Sequence, residues 1–402
     1  MKVVIAGLGV AGANAARIIA AGKPGAQVEV YGAEPHLYYA RPRLPAFLAG
    51  EIEQDALYFY PQSWYHERGI TVHTGAAVAR IDAAAHRLEL AEGTRVPYDR
   101  LLVATGAHSF VPPIAGADLP GVFTLWTIED VRRIQAWARG AERAVVIGGG
   151  LLGLEAARGL RVLGLGVTVL EFAPRLMPRQ LDQEGSQMLQ GWIERLGIAV
   201  RVGATTERIE GEGAVRAVAL KSGEHLAAEL VLIAAGGRAN LQLAQASGLA
   251  VNRGIVVNGR LETSAKDVYA AGDVAEHAGT VYGIIPAAID QARVAAANLA
   301  EIERLEYGGT VPTNTLKIVG LDLTSAGQTS GAGEGYAELR RAVDGERYMK
   351  LVVKDGRLVG AILLGHREKA SLVSQAVAGQ VPVGERPERM LDEGFEWKGL
   401  VG

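Results

Sequence analysis

The sequence predicts an α/β protein with two Rossmann-like dinucleotide-binding domains, the second inserted in the first, and a C-terminal α+β domain. Three observations support this fold class. Two glycine-rich turns each follow a short, β-branched apolar run of the kind found in buried parallel strands. Each turn is followed by a helical stretch and by a second run that ends in or near an acidic residue. Towards the end of the chain, hairpin signals replace this pattern.

The first turn is Gly7-Leu8-Gly9-Val10-Ala11-Gly12, directly after the apolar run Val3-Val4-Ile5. In such a turn the first glycine permits the tight bend and the second lets a pyrophosphate approach the backbone. The third lets the helix pack close to the strand. The next strand is followed by Glu34, a carboxylate of the kind that accepts hydrogen bonds from a ribose diol. The spacing therefore predicts a dinucleotide site.

The second turn is Gly148-Gly149-Gly150-Leu151-Leu152-Gly153, and Glu171 ends the strand that follows it. In both units the phosphates would lie at the helix N-terminus, where free N–H groups and the helix dipole favour an anion. Glu171 favours NADH over NADPH, because its carboxylate would repel a 2′-phosphate of about −1.5 to −2 charges. Arg175, four residues on, would offset part of this repulsion. Two dinucleotides in one chain imply electron transfer between them.

The order of the predicted strands indicates that the chain leaves the first domain and later returns to it. A strand that ends at Gly106 precedes Pro112-Pro113, which marks the crossing, and a strand over residues 230–237 closes the inserted domain. The C-terminal part carries a hairpin signal at Lys354-Asp355-Gly356-Arg357 and a helix near residues 371–378. The predicted domains are residues 1–112 with 239–310, the inserted residues 113–238, and residues 311–402 including the tail.

The composition excludes several classes of function. Cysteine is absent, which removes disulfides, thiolate metal ligands and redox-active cysteines. The net charge of −3 and the lack of a basic stretch with interleaved aromatics argue against a nucleic-acid partner. The eight histidines show no metal-ligand spacing. The sequence contains no apolar run of about 18 residues, so we expect no membrane span. The absence of cysteine is consistent with a cytoplasmic protein, which is the location we expect.

The chain resembles the pyridine nucleotide–disulfide oxidoreductase superfamily, whose members use FAD and NAD(P)H. The resemblance extends from residue 1 to about residue 365 and rests on the two turns, on Ala104-Thr105-Gly106 and on Tyr269-Ala270-Ala271-Gly272-Asp273. It implies that the first domain binds FAD, with Asp273 holding the ribityl chain. It also implies that Pro286-Ala287-Ala288 contacts the isoalloxazine ring through its backbone.

The resemblance also implies that the inserted domain binds NADH, with Glu155 near the nicotinamide carboxamide and Arg179 near the nucleotide. We expect no acid–base catalytic residue, because the cofactors carry the chemistry. In the first domain, the residues predicted to bind cofactor are Gly7, Gly9, Val10, Ala11, Gly12, Glu34, Arg41, Pro42, Val78, Ala104, Thr105, Gly106, Gly272, Asp273, Pro286 and Ala287. In the inserted domain they are Gly148, Gly150, Leu152, Gly153, Glu155, Glu171, Arg179 and Gly236.

Within the superfamily, residues 39–44, 64–70 and 315–322 resemble the flavin module of NADH-dependent nitrite reductase large subunits, with NADH:rubredoxin reductases as close kin. One departure matters. Many relatives have Ser-Cys or Ser-Lys after the Arg-Pro-x-Leu segment, whereas this chain has Pro45-Ala46. Thiol chemistry is therefore excluded, and the electron acceptor is expected to be a separate protein or a small molecule.

The resemblance implies an FAD-containing NADH:acceptor oxidoreductase. Its electrons would pass to a separate acceptor such as rubredoxin, ferredoxin or a nitrite reductase component. Two alternatives stay open: an NADH oxidase that forms hydrogen peroxide from oxygen, and a slow-turnover, NADH-sensing flavoprotein that binds partners. The oligomeric state is also open, since relatives include dimers and monomers.

Overall fold

The computed structural model describes residues 1–318, 320–343, 345 and 347–400, and for residues 314–318 it describes the backbone alone. Val319, in the third segment quoted for the resemblance, and the last two residues of the tail lie outside the described residues. The chain forms two compact units. One comprises residues 1–41, 54–108 and 237–310, and the other comprises residues 42–53, 109–236 and 311–402.

The first unit is built on a parallel five-stranded sheet. In spatial order its strands are Val268–Ala270, Arg100–Val103, Lys2–Ala6, Gln27–Tyr31 and Ile70–His73. The strand Lys2–Ala6 lies at the centre, and its Val3, Val4 and Ile5 side chains are fully buried, as expected for an apolar run covered on both faces. Helices Val10–Gly22 and Ile285–Leu299 pack together in this unit.

Smaller elements complete the first unit. Val78–Asp82, Arg87–Leu90 and Arg95–Pro97 form an antiparallel sheet, and Ile255–Val257 pairs in parallel with Ala275–His277. The short helices are Gln62–His66 and Gln242–Ala246, with a 3₁₀ turn at Gln54–Leu57. The short strands Ala107–Ser109 and Gly237–Ala239 lie at two of the five points where the chain passes between the units.

The second unit contains a second parallel sheet of five strands. Their order is Ile198–Val202, Gly166–Glu171, Arg143–Ile147, Leu230–Ile233 and Val122–Thr124. An antiparallel sheet of Thr206–Glu210, Ala217–Leu220 and His225–Ala227 accompanies it. The helices of this part are Leu44–Leu48, which follows a 3₁₀ turn at Arg41–Arg43, and Ile128–Ala138, Leu151–Val162 and Gln183–Arg195.

The C-terminal part of the second unit is an antiparallel sheet with the strand order Thr313–Ile318, Leu321–Gly327, Arg357–Leu364, Arg347–Lys354 and Tyr336–Val343. The predicted hairpin is present, because Lys354 pairs with Arg357. Helix Arg367–Ala378 begins four residues before the predicted start and ends at the predicted residue. The tail, with 3₁₀ turns Pro387–Leu391 and Trp397–Leu400, packs onto this domain through Met390 and Trp397.

The predicted fold class is confirmed. Each glycine-rich turn follows the central strand of a parallel sheet, and an antiparallel sheet domain ends the described part of the chain. The predicted domain boundaries stay predictions. Among the described residues, none belongs to a helix with the length and apolar character needed to cross a bilayer.

Candidate dinucleotide-binding sites

The first glycine-rich turn connects strand Lys2–Ala6 to helix Val10–Gly22. Gly7 has φ +118°, and a Cβ on it would lie 2.1 Å from the carbonyl oxygen of Ala104. A Cβ on Gly12 would lie 2.0 Å from the carbonyl oxygen of Gly7. Gly9 differs, because its Cβ would meet no atom within 4 Å. Protein packing therefore requires the first and third glycines, whereas the second faces open space that a ligand can enter.

The second turn repeats this arrangement after strand Arg143–Ile147. Gly148 has φ +124°, and its Cβ would lie 2.3 Å from the carbonyl oxygen of Ala234. A Cβ on Gly153 would lie 1.9 Å from the carbonyl oxygen of Gly148, and a Cβ on Gly150 would meet nothing within 4 Å. Both turns thus have the same two structural glycines and the same open position.

The helices that follow the two turns begin without a side-chain cap. No side chain caps Val10–Gly22 or Leu151–Val162, and neither has an acidic residue in its first turn. Helices Ile128–Ala138 and Gln183–Arg195, by contrast, are capped by the side chains of Thr127 and Asp182. The first-turn N–H groups at the two glycine turns therefore remain available to an anion such as a pyrophosphate.

In the first unit, several predicted residues lie together at the carboxyl end of the sheet. The turn at Gly7 approaches Ala104, and a Cβ on Gly272 would lie 2.9 Å from that of Ala11 and 3.9 Å from that of Ala288. The structure thus brings the glycine turn, the Ala104-Thr105-Gly106 segment, Asp273 and the start of helix Ile285–Leu299 into one cluster. Ligands of open α/β sheets bind at this end of the strands.

Two polar groups in this cluster lack a partner within the described residues. No described group makes a hydrogen bond to the carboxylate of Asp273, and the buried Oγ1 of Thr105 likewise has none. Burial raises the pKa of the Asp273 carboxyl, and the Arg41 guanidinium offsets part of that effect. Buried polar groups normally have partners, so these two fit a bound group with several hydroxyls and acceptors. FAD, the cofactor implied by the resemblance, is such a group.

Glu34 is held by two neighbours that orient its carboxylate. The hydroxyl of Tyr39 donates to Oε2 at 2.6 Å, and Nη2 of Arg41 donates to Oε1 at 2.5 Å. Arg41 also donates to the Tyr39 hydroxyl at 3.0 Å. A carboxylate has about four acceptor positions, so two remain for ribose hydroxyls. Sequence reasoning predicted Glu34 and Arg41 but missed Tyr39.

Thr105 is also supported by a residue that sequence reasoning missed. Nδ2 of Asn240 donates to the backbone carbonyl of Thr105 at 2.7 Å, and the backbone N–H of Asn240 donates to the carbonyl of Gly106 at 2.9 Å. No local pattern marks Asn240, since 135 residues separate it from Thr105. In this unit Val78 begins strand Val78–Asp82, and Pro286 lies in the first turn of helix Ile285–Leu299. Pro42 belongs to the second compact unit, so its role at an FAD site stays a prediction.

Glu171 lies directly against the second glycine turn. Its Oε2 accepts a hydrogen bond from the backbone N–H of Gly149 at 2.7 Å, and its Oε1 accepts one from the N–H of Ala173 at 2.7 Å. The two bonds fix a negative charge beside the open position at Gly150. This is where the ribose acid of a dinucleotide site is expected.

The loop after Glu171 uses its two arginines differently. The guanidinium of Arg175 donates to the carbonyls of Leu181 and Pro178, each at 3.1 Å, so it holds the loop in shape. Its effect on the repulsion of a 2′-phosphate stays a prediction. Arg179 is exposed, and no described group bonds to its guanidinium. Arg179 thus remains available to a nucleotide.

Glu155 belongs to a chain of ion pairs within the second unit. Nε of Arg158 lies 3.8 Å from Oε2 of Glu155, and the same guanidinium donates to both carboxylate oxygens of Glu51 at 2.5 and 2.7 Å. These hydrogen bonds hold the pKa of Glu51 below its usual value and raise that of Arg158. Leu152 lies in the first turn of the same helix as Glu155, and Gly236 follows strand Leu230–Ile233. Among the described residues, no group of three or more acids and histidines is placed to hold a metal.

The different environments of Gly150 and Gly153 predict different effects of an added methyl group. We expect Gly153→Ala to lower the free energy of unfolding by at least about 2 kcal/mol, because the helix must move away from the strand. Gly150→Ala should change that free energy little, yet raise the Kd for NADH by about tenfold or more. Chemical denaturation and NADH titration measure the two effects. Gly191→Ala is the control, because its Cβ would meet only an arginine tip at 3.8 Å. Equal affinity for NADH in Gly150→Ala and the wild type would contradict the site.

Two family models match the chain. Residues 1–297 match the pyridine nucleotide-disulphide oxidoreductase family, and residues 312–381 match the rubredoxin NAD+ reductase C-terminal domain. A solved structure of a covalent putidaredoxin reductase–putidaredoxin complex contains a similar chain, with a TM-score of 0.89 and 27% identity. That superposition covers 99% of this chain and 97% of the other.

Curated relatives agree with the family. The chain is 36% identical over 387 residues to a nitrite reductase [NAD(P)H] of Bacillus subtilis (strain 168). This alignment covers 96% of this chain and 48% of that protein. It is 30% identical over 403 residues to the ferredoxin–NAD(+) reductase component of the biphenyl dioxygenase system of Paraburkholderia xenovorans (strain LB400). This second alignment covers 99% of this chain and 98% of the relative.

The chain spans about half the length of the nitrite reductase relative, and nearly all of the ferredoxin reductase component. The predicted likeness to nitrite reductase subunits is confirmed. The chain contains no cysteine, so it lacks the residues needed for the disulfide chemistry that the family's name describes. The chain belongs to the pyridine nucleotide-disulphide oxidoreductase family.

Proposed function

We propose that this chain is an FAD-containing NADH:acceptor oxidoreductase that delivers electrons to a separate small electron-transfer protein. One observation carries the proposal. Two glycine turns in one chain each have an open second glycine, an uncapped helix and an oriented carboxylate. When both cofactors are bound, FAD accepts a hydride from NADH and passes electrons on singly or in pairs.

At the first turn, the residues of the chain bind and orient FAD. The N-terminus of helix Val10–Gly22 would hold the pyrophosphate, and Glu34 would accept hydrogen bonds from the ribose hydroxyls. Asp273 and Thr105 would bond to hydroxyl or carbonyl groups of the cofactor, which would satisfy the two groups that the protein leaves without partners. The backbone at Pro286 and Ala287 would contact the flavin ring. Because these groups are in place before binding, they fix the ring with little reorganisation.

At the second turn, the chain binds NADH in the same way. The N-terminus of helix Leu151–Val162 would hold the pyrophosphate, Glu171 the ribose diol and Arg179 a phosphate. Glu155 would orient the nicotinamide carboxamide, with Arg158 fixing its carboxylate from the other side. The ring would then be held in one pose, which is the main contribution a protein makes to hydride transfer.

The preference for NADH over NADPH follows from the contacts of Glu171. Both carboxylate oxygens are held at 2.7 Å by backbone N–H groups, so the side chain cannot swing away from a 2′-phosphate without losing two hydrogen bonds. Arg175 bonds to carbonyls of its own loop and does not face the carboxylate as a counter-ion. Repulsion of the phosphate is therefore largely uncompensated, which favours NADH.

A separate electron-transfer protein is the acceptor that best fits the comparisons. Relatives of nearly the same length act with a ferredoxin, according to their names, or were solved in complex with putidaredoxin. The C-terminal domain matches that of rubredoxin NAD+ reductases. The absence of cysteine excludes thiol acceptors inside the chain. Rubredoxin, a ferredoxin and a nitrite reductase component share one chemistry, an iron centre that accepts electrons one at a time.

The choice of acceptor is tested by steady-state oxidation of NADH. We expect rubredoxin or a ferredoxin to raise the turnover rate at least about tenfold above the rate with oxygen alone, because a docked iron centre is held close to the flavin. Fast oxidation with oxygen alone, accompanied by hydrogen peroxide, would instead establish an NADH oxidase. Slow turnover with every acceptor and a long-lived reduced state would indicate a sensing flavoprotein.

The nucleotide preference is tested by Glu171→Gln, which removes the charge and keeps the shape. We expect the ratio of kcat/KM for NADPH to kcat/KM for NADH to rise by about tenfold, because the repulsion of the 2′-phosphate is lost. Glu212→Gln, an exposed carboxylate in a loop of the same unit, serves as the control and should leave the ratio unchanged. An unchanged ratio in Glu171→Gln would show that another group sets the preference.

A further inference from the structure

The loop after Glu171, residues 172–182, packs against the second glycine turn and is called the nucleotide loop below. The backbone N–H of Met177 donates to the carbonyl of Gly149 at 3.1 Å, and Leu176 and Met177 are fully buried. A Cβ on Gly149 would lie 2.6 Å from Cδ2 of Leu176. The position of the nucleotide loop therefore determines which atoms surround the second glycine turn. It also determines the position of the Arg179 backbone.

The other end of the nucleotide loop is Asp182, which caps helix Gln183–Arg195. Its Oδ1 accepts a hydrogen bond from the N–H of Gly185 at 3.1 Å. Its Oδ2 contacts the C-terminal sheet, where the hydroxyl of Tyr348 donates to it at 2.6 Å and Nζ of Lys350 lies at 3.2 Å. One carboxylate thus links the start of a helix to a sheet more than 160 residues away.

Tyr348 and Lys350 share one face of the sheet because side chains alternate along a strand. Met349 lies between them in sequence and Leu351 follows Lys350, and both of these side chains belong to the apolar core on the opposite face. The neighbouring strand places Glu338 on the same face as Lys350, with Oε1 at 3.0 Å from Nζ. Arg340, paired directly with Lys350 in the sheet, bonds to Glu338 and approaches Asp182 at 3.9 Å.

Asp182, Glu338, Arg340 and Lys350 form a group of four charges. They depend on each other because Lys350 is almost completely buried, with 1% of its surface exposed. A buried ammonium is tolerated only when carboxylates compensate it. Burial raises the pKa of Asp182, but the hydrogen bonds from Tyr348 and Gly185 and the charge of Lys350 outweigh it, so the pKa lies below its usual value. The pKa of Glu338 is lowered to about 2, since the Gly331 N–H, Arg340 and Lys350 outweigh the effect of burial. Both carboxylates are ionised at neutral pH and cannot move away from Lys350 without leaving it uncompensated.

We propose that Tyr348 and Lys350 are positioning residues for NADH: through Asp182 they hold the nucleotide loop in the conformation that binds the dinucleotide. The inference rests on the proposed function, which assigns NADH to the second turn. A second contact supports it, because the Thr329 hydroxyl donates to the carbonyl of Arg179 at 3.5 Å. The C-terminal domain then contributes to nucleotide affinity through the contacts of its sheet with Asp182.

The test uses the FAD-loaded full chain and the variant Tyr348→Phe, which removes one hydroxyl and keeps the ring. We expect the Kd for NAD+ by calorimetry and the KM for NADH with ferricyanide to rise on the order of five- to tenfold. The kcat and the FAD content should stay within about twofold of the wild type, because the flavin site is untouched. Asp182→Asn, which retains a helix-capping side chain but loses the charge, should change Kd and KM in the same direction.

Tyr336→Phe is the matched control, since it removes a hydroxyl from the same sheet without a contact to Asp182. It should leave Kd, KM and kcat unchanged. Wild-type affinity in both Tyr348→Phe and Asp182→Asn would overturn the inference, even if their Tm fell, because the network would then only stabilise the fold. A wild-type protein that binds no NAD(H) would contradict the proposed function itself and this inference with it. Binding by the wild type without sensitivity to the variants would contradict the inference alone.

Discussion

The close approach of a helix to a strand at each glycine turn is the constraint on which the rest of the structure depends. At Gly12 and Gly153 a Cβ would lie within about 2 Å of a backbone oxygen, so any other residue would push the helix away. This approach aims each helix N-terminus at the carboxyl end of its sheet. The open second glycine and the uncapped first turn of the helix then follow from the same geometry. The two candidate cofactor sites are therefore consequences of how the two sheets are covered.

The polar side chains discussed above fall into two groups, those that the protein holds by hydrogen bonds and those that it leaves without one. The carboxylates of Glu34, Glu171 and Asp182 each accept at least two hydrogen bonds from the protein, which fix their positions. The side chains of Asp273 and Thr105 make no hydrogen bond with the described residues at their carboxylate and Oγ1, although they lie in the same cluster as the first glycine turn. A folded protein rarely leaves such groups unsatisfied unless a ligand completes them. Within the first unit, the oriented acid Glu34 and the groups of Asp273 and Thr105 are therefore the features expected of a preorganised site.

Sequence reasoning predicted the parts of the site that depend on local geometry. The two turns, Glu34, Glu171 and the hairpin at Lys354–Arg357 follow from backbone requirements that leave a pattern over a few residues. The supporting contacts leave no such pattern. Asn240 reaches Thr105 and Tyr348 reaches Asp182 across more than 130 residues, and only the folded chain brings these pairs together. The loop contacts of Arg175 were missed for the same reason, because the carbonyls that it bonds to depend on the course of its loop.

If one chain holds FAD at its first glycine turn and accepts NADH at its second, NADH must reduce a flavin bound to the same protein. The most direct measurement is an absorption spectrum of the purified protein followed by anaerobic titration with NADH. We expect a yellow protein whose flavin absorbance is bleached by about one equivalent of NADH per flavin. A colourless protein that cannot be reconstituted with FAD would contradict the first site. A yellow protein that NADH does not reduce would contradict the second.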